Sequence, residues 1–459
     1  MVKLRGNTVK QITLVGLLLL SLTAVVPAIA SSENLGDCLA MQSADWSESE
    51  VWAWGRLCHD QTVDMNLLTG STGDLRPWQV TEGEWDSERI LSSQFLYDIL
   101  REDHYRSAMS NKRIAILGAW FPEAIDLRGV RIDNFFALTA SRFDRNFDFQ
   151  AGITKSRFSL ENSWFRADFF FNSMTAAEVD LSGARFDGEA GMWDIDSSRS
   201  ILLGGNQFAG YVILAGSKAD ELVMSAEGKE SVWIDNAQLS LRDVRVNILE
   251  DTEASWIGLE GRLDLQGFQY ARFGGVSDSF DPTRAGGTGS ERPIDSLLAW
   301  LAMQENRDEI YIPQPYEQLA AVLAEAGQTA KAKQILYQMN EYRRIHASTG
   351  PGEKAWLTTK KIIIGYGYQV WLTVLWFGVL ILGGAVLLRF SVQGRRNLTL
   401  ARSLLYSLDQ ALPLVYLNPL HEDLARQHPL VLQYYFQIHQ VLSLILLSFL
   451  GAGLAGAIG

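Results

Sequence analysis

The chain has 459 residues, enough by length for roughly two to four domains, and its 53 acidic against 40 basic side chains give a formal net charge of −13. That balance excludes a nucleic-acid-binding body, which needs a net basic face. It also argues against docking of the large domain on anionic lipid.

In chain order, Lys3, Arg5 and Lys10 precede or open an apolar segment, 12–26, and Pro27-Ala28-Ile29-Ala30 follows. Small residues at Ala28 and Ala30 fit a signal-peptidase site. Residues 1–30 therefore read as a signal peptide cleaved after Ala30, the alternative being an uncleaved anchor of the same orientation. In either case the segment beyond is expected to be exported, from a bacterial cell. The only two cysteines, Cys38 and Cys58, come next. An even count in an exported segment favours a disulfide over free thiols, and no Cys-x-x-Cys motif or basic neighbourhood speaks for redox chemistry. Residues 31–113 read as a mixed cap region. Asp45-Trp46-Ser47-Glu48 is a helix start, and Ile90, Leu91, Phe95, Leu96, Ile99 and Leu100 form a helical apolar stripe.

From 114 to 275 proline nearly vanishes and short apolar alternations dominate. An Arg between two inward-type residues recurs, as Val130-Arg131-Ile132, Ser141-Arg142-Phe143 and Ser156-Arg157-Phe158, then Ala184-Arg185-Phe186, Val244-Arg245-Val246 and Ala271-Arg272-Phe273. In a strand, residues i and i+2 share one face, so the flanking residues are expected inside and the Arg in solvent. Residues 179–188 give two five-residue beats, and on these the region resembles pentapeptide-repeat proteins. The resemblance implies a right-handed, four-sided β-helix filled by a central Leu or Phe and a small residue. Such a solenoid buries a continuous column and protects its edges by stacking. The beat is degenerate: spacings are not all multiples of five, and 192–205 and 217–231 break it. The expected class is mainly β, a degenerate pentapeptide-repeat-like right-handed parallel β-helix, followed by an α-helical hairpin and two transmembrane helices. A β-sandwich competes, but the hairpin turn signals it needs are sparse. Gly274-Gly275 reads as a domain-ending turn.

Residues 276–292 read as a Gly/Ser-rich linker, and 293–361 as a helical adaptor. A Leu/Trp stripe covers 294–303. A hairpin of 315–326 and 328–342 turns at Gly327, with Leu319, Leu323, Ala330, Ile335, Leu336 and Met339 facing one another. It resembles one tetratricopeptide unit, and a single unit makes no solenoid. The last part, 362–459, reads as a membrane domain. The uncharged runs 362–388 and 441–459 each suit a hydrocarbon core about 30 Å thick. Ser448, Ala452 and Gly456, and in parallel Gly451, Ala455 and Gly459, form rows of small residues that mark helix-packing faces, against the first span or a second copy. Basic residues flank the first span on both sides, so orientation rests on the signal peptide. It puts 31–361 outside, 389–430 inside and the C-terminus outside. Gly365-Tyr366-Gly367-Tyr368 reads as an interfacial aromatic belt with Trp371 and Trp376, because a potassium filter would lie between the spans rather than before them. The moderately apolar stretch 403–417 between the spans does give the outline of a channel subunit. A transport reading predicts a wet path beside Asp409 and His439.

No catalytic constellation stands out. His59, His104, His346, His421, His428 and His439 form no metal-spaced pair, nucleotide and nucleophile-elbow fingerprints are lacking, and carboxylates such as Asp144 and Asp148 are common on acidic surfaces. The order of the whole resembles an uncharacterised bacterial family of pentapeptide-repeat-like membrane proteins, over roughly residues 45–459. The words that carry this are 89–95 with Gly118-Ala119-Trp120-Phe121, then Gly267-Phe268-Gln269-Tyr270 with Gly274-Gly275, and Pro315-Tyr316-Glu317-Gln318-Leu319-Ala320. Ile364-Gly365-Tyr366-Gly367-Tyr368 and Ser407-Leu408-Asp409-Gln410-Ala411-Leu412-Pro413 complete them. Members are sometimes labelled membrane-associated oxidoreductases, but this sequence holds no nicotinamide, flavin, haem or iron–sulfur motif. The expectation is a non-enzymatic scaffold or interaction protein of the bacterial cell envelope, anchored in the cytoplasmic membrane, with its β-helix exported. It would use no cofactor or metal. Its partners would be membrane lipid and other envelope proteins or a second copy, not nucleic acid. An oligomeric channel- or transporter-like protein and the oxidoreductase are the alternatives.

Overall fold

The computed structural model describes residues 35–70, 76–79, 85–274 without 227–228, 292–304, 310–391 without 347, 399–412 and 429–458. Residues 1–34, which include the expected signal peptide, most of the expected linker, Gly275, Pro413, His421, His428 and Gly459 lie outside these residues.

A parallel β-solenoid of seven turns runs from Ile114 to Phe273. Each early turn makes four short strands, for example Phe136–Thr139, Arg142–Phe143, Phe147–Asp148 and Ile153–Thr154, and each stacks on its counterpart in the next turn. Ile114 pairs with Phe136 and Phe136 with Phe158, so one turn is 22 residues there. From Lys218–Val223 onward, the strands Arg245–Glu250 and Gln269–Phe273 run straight through one corner and fuse two of the four faces into a single sheet. An antiparallel hairpin, Ser225–Ala226 with Lys229–Glu230, is inserted into this part.

The corners explain why the sequence does not count in fives. Gly118, Gly129, Ala140, Ala151, Asn162, Ser173, Gly183, Asp194, Gly205 and Gly216 all have left-handed backbone, with φ from 46° to 74°. They follow at intervals of 11 residues, with one interval of 10 between Ser173 and Gly183. A half-turn is therefore two five-residue sides and one left-handed corner residue. Where glycine holds a corner it is needed: a Cβ on Gly183 would collide with the Asn162 side chain one turn below, and one on Gly216 with Asp194.

Inside, Phe121, Phe143, Phe165, Phe186, Phe208 and Trp233 form one stack, with ring centroids 4.7–5.2 Å apart. Burial stabilises each such ring by about 1.5–3 kcal/mol. Small inward residues beside the stack serve the backbone. The Ser163 hydroxyl donates to Leu138 O at 2.9 Å and accepts from Ser141 N at 3.1 Å, so a corner amide is satisfied without water.

The N-terminal edge is covered by α1 (Glu48–Cys58), α2 (Met65–Thr69), α3 (Ser93–Arg101) and α4 (Asp103–Ala108). Val63–Asp64 adds a parallel rung to Ile116–Leu117, and Ile90 bridges to Trp120. The cap thus occupies edge groups that would otherwise invite another strand. Ser47 and Glu50 make a capping box at the start of α1, and the buried Glu50 carboxylate also accepts from Ser92 N and Oγ, tying α1 to α3. Cys38 and Cys58 are joined in a disulfide, Cα atoms 5.8 Å apart.

The C-terminal edge is closed by α5 (Ile294–Ala302), α6 (Gln314–Glu325) and α7 (Thr329–Ile345). Gln314 accepts from Gly267 N and donates to Phe268 O, and Gln318 donates to Tyr270 O. Side chains of α6 thus stand in for a missing strand. A buried ion pair between Arg292 and Asp251, 2.6 Å, and the Trp256 indole N–H on the same carboxylate fasten α5 to the last turn.

Beyond α8 (Pro351–Ile364) come α9 (Val370–Phe390), α10 (Leu400–Ala411) and α11 (Leu430–Ile458). Two stretches, Val370–Phe390 and Leu430–Gly451, are long and apolar enough to cross a membrane. Both differ from the expected runs. Ile362, Ile363 and Ile364 belong to α8, and the second helix begins well before Val441, because Gln433, His439 and Gln440 lower its apolarity without interrupting the helix.

Candidate functional site

The solenoid wall carries one repeated chemical pattern. On the second face, Trp120, Arg142, Trp164 and Arg185 stand in register on successive turns. Outward residues were expected to be solvated, and Arg131, Arg245 and Arg272 are exposed. Arg142 is not: it is 5% exposed. It lies 5.0 Å from the Trp120 ring and 5.4 Å from the Trp164 ring, held by Asp144 at 2.7 Å. Alternation assigns the side of the wall, but neighbouring turns then bury what stands there. The Trp120 N–H donates to Asp144, the Trp164 N–H to Asp187, and Arg185 pairs with Asp187 at 2.7 Å. Arg166 lies over Trp164 at the outer rim and reaches Asp144 at 3.3 Å. Burial alone would raise the Asp144 carboxyl, but hydrogen bonds from Arg142 and Trp120 outweigh it and hold the group below the usual carboxylate range. These carboxylates are ion-paired acceptors. Asp148 is likewise engaged, accepting from Gln150 N. What the face leaves accessible is the half-exposed Trp120, Trp164 and Arg185 and the exposed Arg166, indole and guanidinium planes that can take part in cation–π contacts.

The C-terminal helices hold a second polar cluster. The α9, α10 and α11 helices pack together, and Ser403, Ser407, Asp409, His439 and Ser443 are buried between them. The His439 Nε2 lies 3.2 Å from Leu380 O and 3.3 Å from Ser407 Oγ. A carbonyl only accepts, so Nε2 carries the hydrogen. In the neutral ring the His439 Nδ1 is then an acceptor, buried with no partner among the described residues. Gln440 donates to Gln410 at 2.7 Å. Gly384 makes the approach possible: a Cβ there would overlap the Ser407 hydroxyl and stand 3.2 Å from His439 Nε2.

The expected site residues separate into three groups. Gly267, Tyr270, Gly274 and Tyr316 lie where the solenoid meets α6. Gly267 and Gly274 take positive φ, Tyr316 stacks on Tyr342 at 5.9 Å, and Tyr270 is buried, which pushes its hydroxyl well above the ordinary value. Gly365, Tyr366 and Gly367 are three consecutive residues of positive φ, 52°, 59° and 98°, that make the turn between α8 and α9. The motif is a turn, with Tyr366 donating to Glu341 at 3.3 Å and Tyr368 half-buried beyond it. The row of small residues does not pack within the chain where it is described. Ser448 and Gly451 are exposed, and nothing lies within 4 Å of a Cβ on Gly451. The side chains of Ala452, Ala455 and Gly456 lie outside the description. The close contact uses Gly384, Ser407 and His439 instead. The ladder had a legible signal, the repeated word Arg-Phe-Asp at 142–144 and 185–187.

Comparison of the chain with protein-family models, with curated proteins and with solved structures finds no match.

Proposed function

We propose that the protein is a membrane-anchored scaffold of the bacterial cell envelope. In this reading a signal peptide exports the large domain, which then stands on the outer side of the cytoplasmic membrane. Its solenoid is the right-handed, pentapeptide-repeat-like helix suggested by the sequence. The observation that carries the reading is the Trp–Arg ladder on a wall whose two ends are closed by helices of the same chain. Closure of both ends directs partners to the lateral faces, and the half-exposed Trp120, Trp164 and Arg185, with the exposed Arg166 at the rim, offer aromatic and arginine anchors of the kind that dominate protein interfaces. The test is a photo-crosslinking residue in place of Arg166, with a control at Ile257, followed by purification in mild detergent. A defined protein adduct from position 166 alone is expected. Identical patterns from both positions, with no protein retained, would overturn the reading.

A second reading, a channel- or transporter-like bundle, is favoured by one observation, the buried His439 with its open Nδ1. Its test is proton and ion flux in liposomes for the unaltered chain and for His439→Leu. Flux lost in the variant supports it, and absence of flux in both removes it.

A further inference from the structure

Where the adaptor meets the membrane bundle, α5, α7 and the first turn of α9 flank a cleft of about 620 Å³. Lys333, Gln334 and Gln338 of α7 line one side and Asp295 of α5 another, while Val370 and Trp371 form the wall toward the span. Lys333 and Asp295 are both exposed and make no ion pair among the described residues.

Two independent features set the level of this cleft. Val370 opens a helix of 21 residues. At about 1.5 Å per residue such a helix is as long as the hydrocarbon core is thick, so Val370 and Trp371 stand at its boundary. Secondly, α8 has the composition of an interfacial helix. Trp356 and Ile362 are 55% and 52% exposed, and the Lys360 ammonium lies 5.2 Å from the Trp356 ring. The Trp376 indole N–H donates to Ile362 O at 2.8 Å, which fixes the end of α8 beside the second turn of α9. Both features place the cleft in the headgroup layer.

We propose that this cleft holds the headgroup of a zwitterionic phospholipid from the surrounding leaflet. Lys333 takes the phosphate, with Gln334 and Gln338 as neutral donors, and Asp295 takes the ammonium. The acyl chains leave along the exposed apolar row that begins at Trp371, 61% exposed, and continues through Val374 and Leu375. An anionic headgroup without an ammonium would put its charge against Asp295, which sets the preference. This inference rests on the membrane reading of α9 and α11 and is independent of any partner on the solenoid wall.

The test uses the full chain, delipidated in detergent and supplied with phosphatidylethanolamine or phosphatidylglycerol, with retained lipid counted by native mass spectrometry. One tightly retained phosphatidylethanolamine is expected, preferred about tenfold over phosphatidylglycerol. Ala330→Trp, which fills the cleft from α7, should abolish retention, and Asp295→Lys should reverse the preference. Equal retention of both lipids, or retention unchanged in Ala330→Trp, overturns the proposal. A nitroxide on Trp356→Cys checks the level separately, since Cys38 and Cys58 are paired and the new thiol is unique. Oxygen-rich, water-poor accessibility in liposomes is expected there. Bulk-water accessibility would overturn the headgroup placement, and a chain soluble without detergent would instead overturn the membrane reading itself.

Discussion

The solenoid and the bundle of α9, α10 and α11 solve the same packing problem with opposite sides facing out. In the solenoid, rings such as Phe143, Phe165 and Phe186 fill the inside, and charged groups such as Arg131 and Arg245 face solvent. In the bundle, Val374, Leu382, Val386, Leu444 and Ile445 face outward, while Ser407, Asp409, His439 and Ser443 are buried. In the proposed membrane reading the difference follows from the medium. In water, apolar burial drives association. Between helices in lipid that drive is missing, and close approach and hydrogen bonds must hold the helices together. A mutation should therefore fail for different reasons in the two regions: lost volume in the wall, lost closeness in the bundle.

The largest effect expected is in the wall. Phe165→Ala removes the ring between Phe143 and Phe186, with Phe169 beside it. It should destabilise the solenoid by about 3–5 kcal/mol, read from the urea midpoint by far-UV circular dichroism. In the bundle the corresponding damage comes from adding atoms. Gly384→Leu should cost roughly 3 kcal/mol, the upper end for overpacking, because Ser407 and His439 both occupy the space it would need. Disulfide cross-linking between cysteines placed on α9 and α10 reads it out, with efficiency expected to fall. If Phe165→Ala left the urea midpoint in place, or Gly384→Leu the cross-linking, the contrast between volume and closeness would fail. Gly451→Leu is the internal control: a Cβ there meets nothing among the described residues, so the α9–α10 contact should be unchanged.

How far the sequence discloses these regions depends on whether a contact repeats. The Phe stack is legible because its members recur in strand alternation with the Arg beside them. The turn length is not legible, because it depends on left-handed corners. Glycine marks some of them, but Ala140, Ala151 and Ser173 carry no conformational signature. Span-length apolarity is visible in the sequence, whereas the joint of Gly384, Ser407 and His439 brings together three helices without periodicity. Gly365-Tyr366-Gly367 shows the same limit. As a word it resembles a filter or a belt, and only the backbone reveals three consecutive residues of positive φ making a turn.

On the outside of the wall, Asp144→Asn sharpens the comparison, because there polar groups are buried in the solenoid too. It leaves Arg142 covered by two indoles with a weakened partner, and should cost about 1.5 kcal/mol at neutral pH. Since the folded carboxyl sits below its ordinary value, its stabilisation is full above the unfolded pKa and is lost as pH falls through the folded one. The difference between the unaltered chain and the variant should thus begin to shrink as pH falls below about 4 and close only below the depressed folded value. A gap that stays constant with pH would mean that Asp144 acts through packing alone.

The smallest effect has the opposite sign. Ala151 is an exposed corner residue with φ 53°, and an L-residue in that region costs about 1 kcal/mol relative to glycine. Ala151→Gly relieves that strain, though added freedom in the unfolded chain offsets part of the gain. A net stabilisation of about 0.5 kcal/mol is expected. Gly183→Ala, at an equivalent corner, should destabilise instead, because its Cβ meets Asn162 as well as the unfavourable φ. The pair isolates the corner from the core, since neither change touches the stacked rings. Opposite shifts in the urea midpoint support an 11-residue half-turn set by left-handed corners. If both changes destabilise equally, the side chain at the corner matters more than its backbone, and the repeat is set by the ring stack instead.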